Sequence, residues 1–152
     1  MTKSGEEKTL IILKPEAIEA NVCEEIINDF LKNDFKIVKI QEIVCDRDAI
    51  TRFCNGNYTN IHIKWKIEHL ANKKMIAMIV SRDNAMAMAR KLIGDTNPAK
   101  AEEGTLRKKY SKDSFEKADR EERDVYNMIH ASDSQEEFER EVKVLKIMRG
   151  VD

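Results

Sequence analysis

Residues 127–134 read Asn127-Met128-Ile129-His130-Ala131-Ser132-Asp133-Ser134, and the reading of the whole fold turns on them. Residues 125–129 form a strand-like run that delivers His130 to a turn, and Ser132-Asp133-Ser134 then opens a helix. An imidazole held there keeps one ring nitrogen free to attack while a neighbour orients the other. The nearest candidate for that neighbour is Glu141, on the helix that follows. A lone histidine at a strand end is more often structural than catalytic, so the rest of the chain decides.

Upstream, Arg90-Lys91-Leu92-Ile93-Gly94-Asp95-Thr96-Asn97-Pro98 is followed by Gly104-Thr105-Leu106-Arg107. Two arginines, a threonine hydroxyl and a glycine-bearing turn suit a polyphosphate. Guanidinium forks bind phosphate oxygens bidentately, and a hydroxyl with turn amides adds further donors. Near the N-terminus, the apolar run at residues 9–13 stops at Lys14-Pro15-Glu16, which sets a cation at a strand end. Each feature has a plain structural reading: Arg90 as a solvated helix residue, Gly94 as a helix C-cap, Lys14-Pro15 as a strand stop. Together, in this order and at predicted element ends, they favour a phosphate site.

Between these motifs the apolar residues keep recognisable periods. Val22, Ile26, Ile27, Phe30 and Leu31 have helical spacing, and residues 35–44 alternate as a partly buried strand. Asp46 or Asp48 caps a short helix through Phe53. An Asn55-Gly56-Asn57 turn then precedes a helix bearing Ile61, Trp65 and Leu70. Residues 75–80 are a continuous apolar strand, Asp83 caps a helix that Gly94 ends, and Asp133 or Ser134 caps a last helix to about Val144. The order β-α-β-α-α-β-α-β-α permits a parallel doubly wound sheet or a split βαβ arrangement, and periodicity does not choose.

Four motifs resemble those of the nucleoside diphosphate kinase family: Lys14-Pro15-Glu16, Arg90-x-x-x-Gly94-x-Thr96-Asn97-Pro98, Gly104-Thr105-x-Arg107, and Asn127-x-x-His130-x-Ser132-Asp133-Ser134. The resemblance runs from about Lys8 to Val144. It implies an α+β fold, a ferredoxin-like βαββαβ core whose four-stranded antiparallel sheet uses strands near residues 9–13, 35–44, 75–80 and 125–129, with helices around it. It also implies ping-pong transfer of a γ-phosphate from ATP to a nucleoside diphosphate through a phosphohistidine at His130. In that scheme Arg107 stabilises charge on the transferring group, and Arg90 and Thr96 hold the inner phosphates. Lys14 and Asn127 hold the ribose, with Lys14 also in reach of phosphate, while Glu141 orients the imidazole and Ser132 supports the site. Mg²⁺ arrives with the nucleotide, held by phosphates and water and not by protein ligands. A homo-oligomer, a dimer unit built into a tetramer or hexamer, is also implied.

Some positions depart from the family. Phe53 lies near its tyrosine, His62 near the aromatic that stacks on the base, Ala131 replaces a glycine, and Glu16 stands for an aspartate. His69 reads as structural or solvent-facing, and Trp65 as a core residue. Arg107 and Asn127 are 20 positions apart, where the family uses a shorter connection. With few apolar residues to offset ordering entropy, the insertion at residues 108–126 is expected to be a solvated loop. In the alternative reading it is an ordered flap that packs Tyr110 or Phe115 on a neighbouring subunit. Shortening a passive loop would leave the site intact.

The chain's 152 residues are one domain's worth, with residues 1–7 expected to be flexible. A net charge of −1 gives no basic field for nucleic acid, and the cluster Lys108, Lys109 and Lys112 reads as a solvated face. Cys23, Cys45 and Cys54 lack metal spacing and read as reduced thiols of a cytoplasmic protein. No apolar run approaches the roughly 18 residues of a membrane span, and the polar start is not a signal peptide. The rival to an enzyme is a nucleotide-binding or regulatory relative with weak or no turnover.

Overall fold

The unbroken apolar character of residues 9–13 has a simple cause: their strand is covered on both faces. The computed structural model describes residues 6–55 and 60–147. Four strands, β1 (Glu6–Leu13), β2 (Lys36–Val44), β3 (Lys74–Asp83) and β4 (Ile129–Ala131), form one sheet in the order β2-β3-β1-β4. Every pairing is antiparallel. Because strand side chains alternate, Leu10 and Ile12 of β1 enter one core and Ile11 and Leu13 the other. The first core is closed by α3 (Arg47–Phe53), α4 (Ile61–Leu70) and α8 (Gln135–Val144) through Ile50, Ile67 and Phe138. The second is closed by α1 (Pro15–Glu19), α2 (Cys23–Lys32), α5 (Ala85–Ile93) and α6 (Leu106–Tyr110) through Ala17, Phe30, Ala89 and Leu106. The split, antiparallel ferredoxin-like arrangement is therefore the one adopted, and the doubly wound alternative is not. Full burial of one such aliphatic or aromatic side chain is worth about 1.5–3 kcal/mol.

Several helices, α3 and α8 among them, start from side-chain caps. The Asp46 carboxylate accepts from Ala49 N–H at 2.9 Å, and the Ser134 hydroxyl from Glu137 N–H at 3.1 Å. The cap of α5 is Asn84 and not Asp83, because Asp83 still belongs to β3 and Asn84 takes the left-handed turn at φ 52°. Lys14-Pro15-Glu16 is more than a strand stop, since Pro15 is the first residue of α1, where a missing N–H costs nothing. The last strand was expected at residues 125–129 but runs Ile129–Ala131, so His130 lies within it. Met128, at φ 72°, breaks any extended run before it.

Residues 108–126 differ most from expectation. They carry α7 (Phe115–Arg120), capped by Ser114, and a compact set of charge-assisted hydrogen bonds. Asp113 takes the fork of Arg123 at 2.7 and 3.1 Å and the N–H of Tyr126 at 2.8 Å. Tyr110 donates to Asp29 of its own chain at 2.8 Å. Apolar content underestimates this segment because paired charges, at about 1.5–3 kcal/mol per charged hydrogen bond, order it instead. Trp65 is half-buried against His62 and stays outside both cores. Of residues 1–7, Glu6 and Glu7 begin β1 and the rest lie outside the described residues, as does Gly56-Asn57 of the expected turn. Among the described residues, no helix is long and apolar enough to cross a membrane.

Candidate active site

Pairing of β4 with β1 sets Ile12 opposite His130, which sends the imidazole to the face covered by α3 and α8. Glu141 sits on the inner side of α8, 4% exposed, and its Oε1 lies 3.1 Å from His130 Nε2. The Ser132 hydroxyl donates to that same oxygen at 2.6 Å. Burial works against ionisation of Glu141, but the bonds from His130 and Ser132 outweigh it and hold the carboxyl below its usual range. The Phe53 ring meets the imidazole edge-on, centroids 4.9 Å apart. Burial lowers the His130 pKa, and the charges of Lys66 and Lys14 add to that, against the pull of Glu141. A neutral ring with its proton on Nε2, donated to Glu141, leaves the Nδ1 lone pair unprotonated. Ala131 has ordinary extended backbone, so losing a glycine there is harmless.

A second group of side chains gathers around the turn before β4. Lys14, 4% exposed, donates to Asn127 Oδ1 at 2.7 Å, and Asn127 Nδ2 donates to the Thr96 carbonyl at 2.9 Å. Burial, reinforced by Lys66, pushes Lys14 down to about 8, although Glu16 and Asp124 oppose this. Arg107 is buried, and burial brings it down to about 10. Its nitrogens donate to the carbonyls of Asn127, Gly94 and Ile129. The guanidinium thus braces the turn, while each terminal nitrogen keeps a further N–H for a ligand. Gly94 has φ +95°, and a Cβ there would lie 2.7 Å from the Thr105 side chain, so only glycine fits. Arg90 is exposed and, among the described residues, held by exposed Asp133 at 3.1 Å.

Eight of the nine residues that the sequence singles out line one cavity of about 610 Å³; the ninth, Glu141, stands behind His130 with its Oε1 3.1 Å from Nε2. The volume suits a nucleotide-sized ligand. His62 lies at the mouth, where its Nε2 meets Asp119 of α7 at 3.1 Å. Sequence reasoning missed the wall that residues 108–126 supply, with Phe115, Ala118 and Asp119 lining the cavity. It also missed Lys66, which enters from α4 one turn beyond His62. The His62-x-x-x-Lys66 spacing was the available signal, since residues four apart share a helix face.

Glu16 does not face the cavity as a ligand. Its Oε2 accepts the Met128 N–H at 3.0 Å, and its Oε1 meets His69 Nε2 at 2.8 Å. The other ring nitrogen of His69 reaches Asp124 at 2.7 Å. Burial alone would lower the His69 pKa, but two flanking carboxylates raise it, which favours the protonated ring that can donate from both nitrogens. This buried bridge ties α4, α1 and the approach to Asn127 together.

Known proteins share both sequence and shape with this chain. A family model described as nucleoside diphosphate kinase matches residues 7–146. The nucleoside diphosphate kinase of Methanocaldococcus jannaschii is 34% identical over 138 residues, covering 91% of each chain. A crystal structure of an NDP kinase from Pyrobaculum aerophilum superposes with TM-score 0.84 at 30% identity, over 91% of this chain and 94% of that one. The Borrelia burgdorferi nucleoside-diphosphate kinase, solved as a transition-state mimic with bound vanadate and ADP, superposes with TM-score 0.90 at 23% identity. It covers 99% of this chain and 93% of its own.

Proposed function

The chain belongs to the nucleoside diphosphate kinase family and is a phosphotransferase, and from that premise we propose that His130 carries the phosphoryl group between two nucleotides. The observation that carries this reading is the His130–Glu141–Ser132 relay at the inner end of a cation-lined cavity. The Nδ1 lone pair attacks the γ-phosphorus of ATP. A nitrogen–phosphorus bond forms, the bond to the β,γ-bridging oxygen breaks, and its electron pair leaves with the nucleoside diphosphate. The positive charge that develops on the ring is shared through the Nε2 proton with Glu141. A second nucleoside diphosphate then enters the same cavity and takes the group back, so one pocket serves donor and acceptor in turn.

The remaining residues align and neutralise charge, which is most of what phosphoryl transfer asks of a protein. Arg107 meets the transferring group with the N–H bonds its carbonyl partners leave unused. Arg90 and Thr96 hold the inner phosphates, and the exposed Arg90–Asp133 pair costs little to release. Lys14 and Asn127, already joined at 2.7 Å, bind the ribose, with Lys14 also in reach of phosphate. His62 at the mouth contacts the base. The cavity's carboxylates, Asp119, Asp124 and Asp133, are already bonded to His62, His69 and Arg90, which fits a Mg²⁺ ion that enters chelated by the triphosphate. Assembly into a homo-oligomer fits the exposed edge strand β2, where Ile40 is 45% and Val44 62% exposed, and native mass tests it.

Incubation with γ-labelled ATP and a mixture of unlabelled nucleoside diphosphates tests the activity directly. Label should appear in the corresponding triphosphates. Nucleotide binding without labelled products would identify a non-turning-over relative instead.

A further inference from the structure

Among the cations facing the cavity, Lys66 is engaged differently from the rest. Lys14 is bonded to Asn127, Arg90 to Asp133, Arg107 to three carbonyls and Arg123 to Asp113. Among the described residues, the Lys66 ammonium makes no hydrogen bond or ion pair; it rests over the Phe53 ring, 5.8 Å from its centroid. The edge of that same ring contact is His130, with centroids 4.9 Å apart. Ammonium and nucleophile therefore pack on one aromatic side chain. Lys66 is half-buried on α4, and its charge is felt at both His130 and Lys14, lowering the pKa of each. The carboxylate that feels its charge, Asp124, is bonded instead to His69 at 2.7 Å, so the half-buried Lys66 ammonium keeps its donors for an anion brought in by a ligand.

We propose that Lys66 is a catalytic residue of this chain, binding the γ-phosphoryl oxygens while the group moves to and from His130. The inference rests on the phosphohistidine reading above and adds to it a charged donor beside the nucleophile. In the transferring group, charge spreads over three equatorial oxygens, and Arg107 has committed part of its fork to backbone carbonyls. A flexible four-carbon stem lets the Lys66 ammonium follow the phosphorus as it leaves the bridging oxygen. The ammonium stays protonated throughout: it donates hydrogen bonds and transfers no proton.

Single-turnover labelling of His130 by Mg·ATP separates this role from simple packing. Lys66→Met keeps the stem over Phe53 and removes the charge. It should slow phosphohistidine formation by about tenfold to a hundredfold, the scale expected of one donor aimed at developing charge. ADP has no γ-phosphate, so its affinity should change less than twofold. Lys66→Arg should recover part of the labelling rate. Wild-type labelling combined with a Lys66→Met rate within twofold of it would overturn the role of Lys66 alone. An ADP affinity that falls as far as the labelling rate would also overturn it, by making Lys66 a general nucleotide or structural contact. A wild-type protein that never carries phosphate on His130 would overturn the phosphohistidine reading itself.

Discussion

His130 and His69 are opposite answers to one question, how a buried imidazole is charged. His130 faces one carboxylate and two lysines and is driven toward the neutral ring, whereas His69 lies between two carboxylates and is driven toward the cation. Imidazole resonances followed by NMR should therefore titrate below the ordinary value of 6.5 for His130 and above it for His69. The reverse order would mean that the two environments have been misread. Glu141→Gln keeps a hydrogen-bond partner for Nε2 but removes the charge that steadies the ring during attack. It should slow His130 labelling by about 10- to 100-fold, the cost of a poorly held nucleophile. His130 and Glu141 were legible because they lie 11 positions apart, on a strand and the helix after it. His69 was not: its partners Glu16 and Asp124 are 53 and 55 positions away, and only the folded sheet brings them together.

At the level of elements, the part of the cavity proposed to hold phosphate depends on the turn at Gly94, which tolerates little change. Gly94 combines φ +95° with a carbonyl that accepts from Arg107. Gly94→Ala should cost about 1–3 kcal/mol in urea unfolding, through the positive φ and the clash with Thr105. It should also weaken nucleotide affinity, because Arg107 loses its anchor. Stability lost with affinity intact would show that Arg107 finds its place without that carbonyl. The motif around Gly94 was readable as a helix end, yet nothing local showed why a side chain is excluded, since Thr105 comes from the next turn. For β4, local pattern misled by four residues at the start and two at the end: Val125 to Ile129 looks extended, but the strand runs Ile129–Ala131 and its pairing with β1 begins only after the left-handed turn at Met128. Residues 108–126 were read as loop because paired charges leave no hydrophobic period, although they build a wall of the site.

Across the whole molecule, the antiparallel order β2-β3-β1-β4 was open to sequence periodicity but not chosen by it, since doubly buried strands look alike in parallel and antiparallel sheets. The motifs chose it. Stability as a function of pH should report the His69 bridge. The raised pKa of His69 contributes stability that is full below 6.5 and is lost as pH rises through the raised value. The lowered values of Glu16 and Asp124 contribute stability present above their ordinary 4.5 and 3.8 and lost as pH falls through the lowered values. Urea unfolding should thus show a plateau between these limits, and His69→Ala should cost roughly 3 kcal/mol there by stranding two buried carboxylates. An alkaline limb unchanged in that variant would remove His69 as its source. The most direct test of the account is a chase of the isolated phosphoprotein. After Mg·ATP and removal of nucleotide, one acid-labile, alkali-stable phosphate should map to His130, disappear on addition of a nucleoside diphosphate, and reappear as the triphosphate. Phosphate that maps elsewhere, persists in His130→Ala, or cannot be chased would contradict it.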